Sequence, residues 1–120
     1  MLEQRTAWRM SDIIKEICLK YEERDAKKVF ADYGWCVYAK EDIETLDAEC
    51  FIDESPYINE DDEEIYPAFV CENHLQLVFK GDLVQDVVMS CLDQKDDVSL
   101  EKIMEAILYY YRQDTFLVLE

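Results

Sequence analysis

A single histidine, His74, and five cysteines, Cys18, Cys36, Cys50, Cys71 and Cys91, stand against twenty-nine acidic residues. Nucleophilic catalysis of the Ser-His-Asp or Cys-His kind would have to be built on His74 alone. Its setting between Asn73 and Leu75 reads instead as a turn entering a strand. The cysteines are odd in number, widely spaced and set among apolar or β-favouring neighbours, and no two form a CxxC pair. That pattern matches neither a secreted disulfide scaffold nor a zinc site, and it predicts reduced thiols used as small buried hydrophobes. With only two glycines the chain holds no GxGxxG or GxxxxGK[ST] loop to cradle a phosphate. Paired carboxylates abound, but glycoside hydrolysis needs two in a cleft, in environments that drive their pKa values apart. The run Glu60 to Glu64 (EDDEE) lacks the alternating ligands and the glycine of an EF-hand loop. No catalytic residue, metal ligand or cofactor is therefore assigned, and the chain reads as a binding protein, not an enzyme.

The charge is the strongest compositional feature. The net charge is −17, which excludes nucleic acid and anionic membrane as direct partners, since both are held by Lys and Arg. It is also uneven. No Lys or Arg occurs between Lys40 and Lys80, and residues 41–79 carry −13 while the other 81 residues together carry −4. Crowded acids repel one another over a Debye length of about 8–10 Å, a cost that a merely solubilising charge would avoid by spreading out. The concentration predicts an electrostatic docking surface for a basic partner, the alternative being a solvated loop. Its centre is assigned to Asp53, Glu54, Glu60, Asp61, Asp62, Glu63 and Glu64, with Tyr57 and Tyr66 as flanking rings suited to a protein interface.

These residues must be positioned by one domain spanning residues 1–120, with residues 1–10 a ragged leader that is disordered or precedes a natural start at Met10. Ile13, Ile14, Ile17, Cys18 and Tyr21 share a helical face, with Ser11 or Asp12 as its cap. A further helical turn is expected over residues 25–31. Trp35–Ala39, Glu49–Asp53 and the alternating Leu75, Leu77 and Phe79 read as strands. The segment AFVCE after Pro67 reads as an edge strand, and Glu54–Glu64 as an acidic loop. Leu83, Val84, Val87, Val88, Cys91 and Leu92 form one apolar stripe, capped by Asp82. Leu100, Ile103, Met104, Ile107, Leu108 and Tyr111 form another, capped by Asp97 or Ser99. Tyr111 is thus a core ring, whereas Tyr109 or Tyr110 is part-exposed. The ending TFLVLE reads as a final strand. The fold class is α+β, with helices packed on one face of a mainly antiparallel sheet. No apolar run reaches the roughly 18 residues of a membrane span, and the N-terminus lacks a signal-peptide core, so a cytoplasmic location is expected.

Three stretches, GWCVYAKEDIETLDAECFID, DDEEIYPAFVCENHLQLVFKGDLVQDVV and LEKIMEAILYYYRQDTFLVLE, carry a family likeness from about Met10 onward. Together they resemble the small bacterial immunity proteins encoded beside contact-dependent growth-inhibition toxins and related polymorphic toxins. The acidic run before PAF, the helix ending AxLYYY and the closing strand carry most of the likeness. The resemblance implies a cytoplasmic protein that binds and blocks the toxic C-terminal domain of a cognate toxin, often a nuclease. It carries over a role and no contact residues. Two other readings remain: an acidic mimic of nucleic acid, and a protein-interaction adaptor acting on a basic partner.

Overall fold

A computed structural model describes residues 3–22, 34–95 and 97–119. The chain runs β1 (Trp8–Arg9), α1 (Met10–Glu22), β2 (Trp35–Ala39), β3 (Glu49–Glu54), β4 (Tyr57–Ile58), β5 (Glu64–Ile65), α2 (Ala68–Glu72), β6 (Gln76–Lys80), α3 (Gly81–Gln94) and α4 (Leu100–Gln113). The helical turn expected over 25–31 lies outside the described residues. Four strands form an antiparallel sheet in the order β1-β3-β2-β6, and β4 and β5 form a separate hairpin. The class is α+β, as the sequence predicts.

Strand alternation gives the sheet two unlike faces. Trp35, Val37 and Ala39 of β2, with Cys50 and Ile52 of β3, join one core with Ile13, Ile14, Ile17, Val84, Val88, Ile103 and Ile107. The three long helices supply this layer, each through an apolar stripe at helical spacing. Truncating one of these fully buried Ile side chains to Ala would cost about 2–5 kcal/mol. Gly81 lies where a side chain could not fit: a Cβ there would land inside the Trp35 indole.

Cys36 and Tyr38 face the other way. With Val70, Tyr66, Leu75 and Leu77 they make a smaller core on the back of the sheet, so not all helices share one face. Its helix, α2, occupies the segment expected to be an edge strand. Pro67 costs nothing as the cap, because an amide there would have had no partner, and its carbonyl accepts from Cys71 N at 3.2 Å. The single turn points one residue, Val70, into the core.

Two of the three long helices start differently from expectation, and α4 starts at the expected Ser99. Met10 N and Ser11 N, the open amides of α1, donate to Ala48 O and Leu46 O at 3.0 Å each, while Asp12 reaches back to the Arg9 N–H. Backbone from the β2–β3 loop does the work assigned to a side-chain cap. Lys80 stands at the N-cap position of α3 without a side-chain bond to the helix, and Asp82 accepts from the Leu83 amide within the first turn. Ser99 caps α4, accepting from Lys102 N at 3.1 Å.

Residues 5–9 and 117–119 are tied down. In the leader, Arg5 N donates to Ile52 O at 2.9 Å, and Trp8 and Arg9 pair with Cys50 and Glu49. At the other end no strand forms over residues 115–119. Asp114 turns α4 off in the left-handed conformation at φ 56°, and Leu117 and Leu119 then settle against the helical core. The Gln94 side-chain amide donates to Leu117 O at 3.1 Å and accepts from Leu119 N at 2.8 Å. It supplies the two bonds that a neighbouring strand would have made.

Candidate protein-binding surface on the acidic hairpin

The expected acidic loop is an ordered β-hairpin. Tyr57 pairs with Ile65 and Ile58 with Glu64, and the connection closes through Asn59. Asn59 N donates to Glu63 O at 3.0 Å, and Asp62 N donates to Asn59 O at 3.1 Å. Asp62 takes a left-handed φ of 61°, the pattern of a three-residue hairpin loop. The Asn59 Oδ1 accepts from Asp61 N and Glu63 N, both at 2.9 Å. Asn and Asp favour such turns because a short side chain can bond the backbone two residues on. The signal for this turn in the sequence is an Asn directly before the acids.

This turn fixes the directions in which Glu60, Asp61, Asp62, Glu63 and Glu64 are displayed. All five are exposed, as is Glu54. Among the described residues none of the six has an ion-pair partner. Beside them β4 exposes two large apolar side chains, Tyr57 at 63% and Ile58 at 62%. Tyr66 anchors the other strand: its ring packs edge-on to Tyr38 at 6.4 Å between centroids, and its hydroxyl donates to Glu64 Oε1 at 3.0 Å. That bond to the carboxylate raises the Tyr66 pKa above 10.0, with partial burial adding to it. The hairpin thus combines unpaired carboxylates, exposed apolar side chains and a defined backbone.

Asp53 does not belong to this surface. It is fully buried, with Oδ1 accepting from Glu54 N at 2.8 Å and the Arg5 guanidinium on its carboxylate. Its acidic neighbours in sequence predict a place on the surface, but a strand alternates faces. Asp53 points onto the back of the sheet beneath Arg5. The acids of residues 41–49 separate as well. Glu41, Asp42, Glu44, Asp47 and Glu49 border the β2–β3 loop, at the opposite end of β3 from Glu54.

Tyr111, expected in the core, is 40% exposed. Its ring still packs on Phe79 at 4.8 Å, and its hydroxyl accepts from Lys80 N at 2.8 Å. Partial burial raises its pKa, opposed by that amide. Tyr109 and Tyr110 are both half-buried, and Tyr110 stacks on Phe116 at 5.0 Å.

His74 is exposed and serves the backbone. It sits after α2 at φ 55°, with His74 N donating to Cys71 O at 3.3 Å and Leu75 N to Val70 O at 3.0 Å. These two bonds form a Schellman stop, and the apolar pair that accompanies it, Val70 and Leu75, lies in the back core. None of the five cysteines is in a disulfide, but Cys71 is exposed and Cys18 half-buried, so only Cys36, Cys50 and Cys91 match the buried expectation. Among the described residues no three His, Cys, Asp or Glu side chains converge as a metal site, and no helix is long and apolar enough to cross a membrane.

A family model covers residues 12–119, described as a domain of unknown function, DUF7716. The chain belongs to the DUF7716 family. No curated protein and no solved structure matches it. The match takes in the hairpin, the back core, the buried main core apart from Met10, and the tail bound by Gln94, whereas Arg5 and β1 lie N-terminal to it.

Proposed function

We propose that this protein is an inhibitor of the immunity type, which neutralises the toxic C-terminal domain of a cognate contact-dependent growth-inhibition toxin in the cytoplasm. The observation that carries the proposal is the hairpin: five consecutive exposed carboxylates without cationic partners, on a turn fixed by Asn59 and beside exposed Tyr57 and Ile58. Nucleases hold phosphates in basic clefts, and such a cleft would take this hairpin in place of its substrate. Complementary charge then speeds the encounter and selects the partner, while Tyr57 and Ile58 supply desolvated contact area. No chemistry of the chain's own is needed, because occupancy of the cleft is the inhibition. The structural role of His74 is compatible with that.

The test is co-expression with the product of the neighbouring toxin gene, followed by purification through a tag on the toxin domain. Recovery of a stoichiometric complex, together with loss of the toxin's activity, is the expected result. A toxin domain that purifies alone and stays active would overturn the proposal.

A further inference from the structure

A groove of about 510 Å³ runs between the β2–β3 loop and α4, away from the hairpin. Its apolar floor comes from Leu46, Met104 and Leu108, and Glu44, Glu101 and Glu105 stand along its rim. Glu105 is occupied by Lys102 at 3.1 Å, in a pair between exposed side chains that are held only weakly in water. Glu44 and Glu101 have no ion-pair partner among the described residues. Tyr109 and Arg112 also line the groove. From Glu101 to Arg112 is eleven residues of helix, or roughly 16 Å at 1.5 Å per residue. That length exceeds any single side chain and suits about five residues of extended chain at 3.3 Å each.

We propose that this groove is a second docking site, and that its occupant is an extended segment of a protein partner presenting an arginine or lysine. The aliphatic stem of the basic residue lies along Leu46 and Leu108, as long cationic side chains do on apolar surface. Its charge meets Glu44, Glu101 and Glu105, and the Tyr109 ring offers a cation a polarisable face. Arg112 marks the other end of the groove and takes an acidic or carbonyl oxygen from the same segment. The groove is therefore polar along its length, and this distinguishes it from the hairpin, where every charge has one sign. The site stands independently of the hairpin's role, since it draws on none of the same residues.

The test uses the full chain, ¹⁵N-labelled, titrated with the pentapeptide acetyl-Arg-Ala-Leu-Ala-Glu-amide and with its uncharged counterpart acetyl-Gln-Ala-Leu-Ala-Gln-amide. Expected are saturable amide shifts confined to residues 44–46 and 101–113, at least fivefold weaker for the uncharged peptide. The Glu101→Gln, Glu105→Gln double variant changes only exposed side chains and should weaken the charged peptide at least fivefold. A variant neutralised at Glu60 to Glu64 should bind it as the parent does. Shifts spread over every acidic loop, equal binding of both peptides, or an unaffected double variant would each overturn the proposal. None of those outcomes touches toxin binding by the hairpin, which is read separately by co-purification.

Discussion

Arg5 and Asp53, 48 positions apart in sequence, meet across the sheet: Nε donates to Oδ2 at 3.3 Å and the guanidinium lies 3.2 Å from Oδ1. The carboxylate is fully buried and Arg5 is 49% exposed, so the pair is a buried charge sealed by a half-solvated one. Removing one partner of such a pair leaves the other charge without compensation. Arg5→Ala should therefore destabilise the fold by about 1–3 kcal/mol, less than the 3–5 kcal/mol of a fully buried pair because water reaches the Arg5 side. Urea unfolding of the single variants and of Arg5→Ala, Asp53→Asn checks this. Arg5→Ala should be milder in the Asp53→Asn background.

His74 carries a left-handed backbone conformation that glycine adopts without a Cβ penalty. His74→Gly should stabilise the protein by about 0.5–1 kcal/mol, a partial return of the left-handed cost. Toxin binding should be unchanged. A fall in stability would mean that the imidazole makes a contact of its own.

The periodic elements were legible in the sequence, and the non-periodic ones were not. Leu75, Leu77 and Phe79 announce their strand by alternation and Ile103 and Ile107 a helix by its period, while Trp35–Ala39 and Glu49–Asp53 show as strands through their β-favouring composition. The helix α2 has one turn and one buried residue, so it left no period to read. The strands β4 and β5 have two residues each and follow from Asn59 closing the turn between them. The tail 115–119 has the composition of a strand, yet its partner is the Gln94 side chain, a contact no local pattern encodes. The same applies within the candidate site. The acids from Glu60 to Glu64, Tyr57 and Tyr66 could be picked out by type, whereas the burial of Asp53 depends on Arg5 at the far end of the sequence.

Cysteine reactivity should separate cleanly by position. Burial pushes the Cys50 thiol up from 9.0 to about 12 and the Cys91 thiol up to about 11. Folded protein at pH 8 should lose Cys71 to a thiol reagent first, with Cys50 and Cys91 protected until unfolding. The raised values also fix a sign. The folded state keeps its thiol protons where the unfolded state has lost them, so this stability is fully present below pH 9. It should be lost as pH rises from 9 through about 11, on the order of 2 kcal/mol for Cys91. Urea midpoints from pH 8 to 11 check the slope, which should be shallower in Cys91→Ala.

The part in toxin binding proposed for the hairpin is tested most directly by neutralising it. The variant Glu60→Gln, Asp61→Asn, Asp62→Asn, Glu63→Gln, Glu64→Gln removes five charges and keeps the turn, whose bonds run through Asn59 and the backbone. Charges desolvated in an interface cost about 2–5 kcal/mol when their partners are left unpaired. Affinity for the toxin domain should therefore fall at least a hundredfold, or about 2.7 kcal/mol. Most of the parent's salt sensitivity should disappear from the association rate, and the Tm should be equal or higher because self-repulsion falls. A neutralised hairpin that binds the toxin domain as tightly and as fast as the parent would contradict the account.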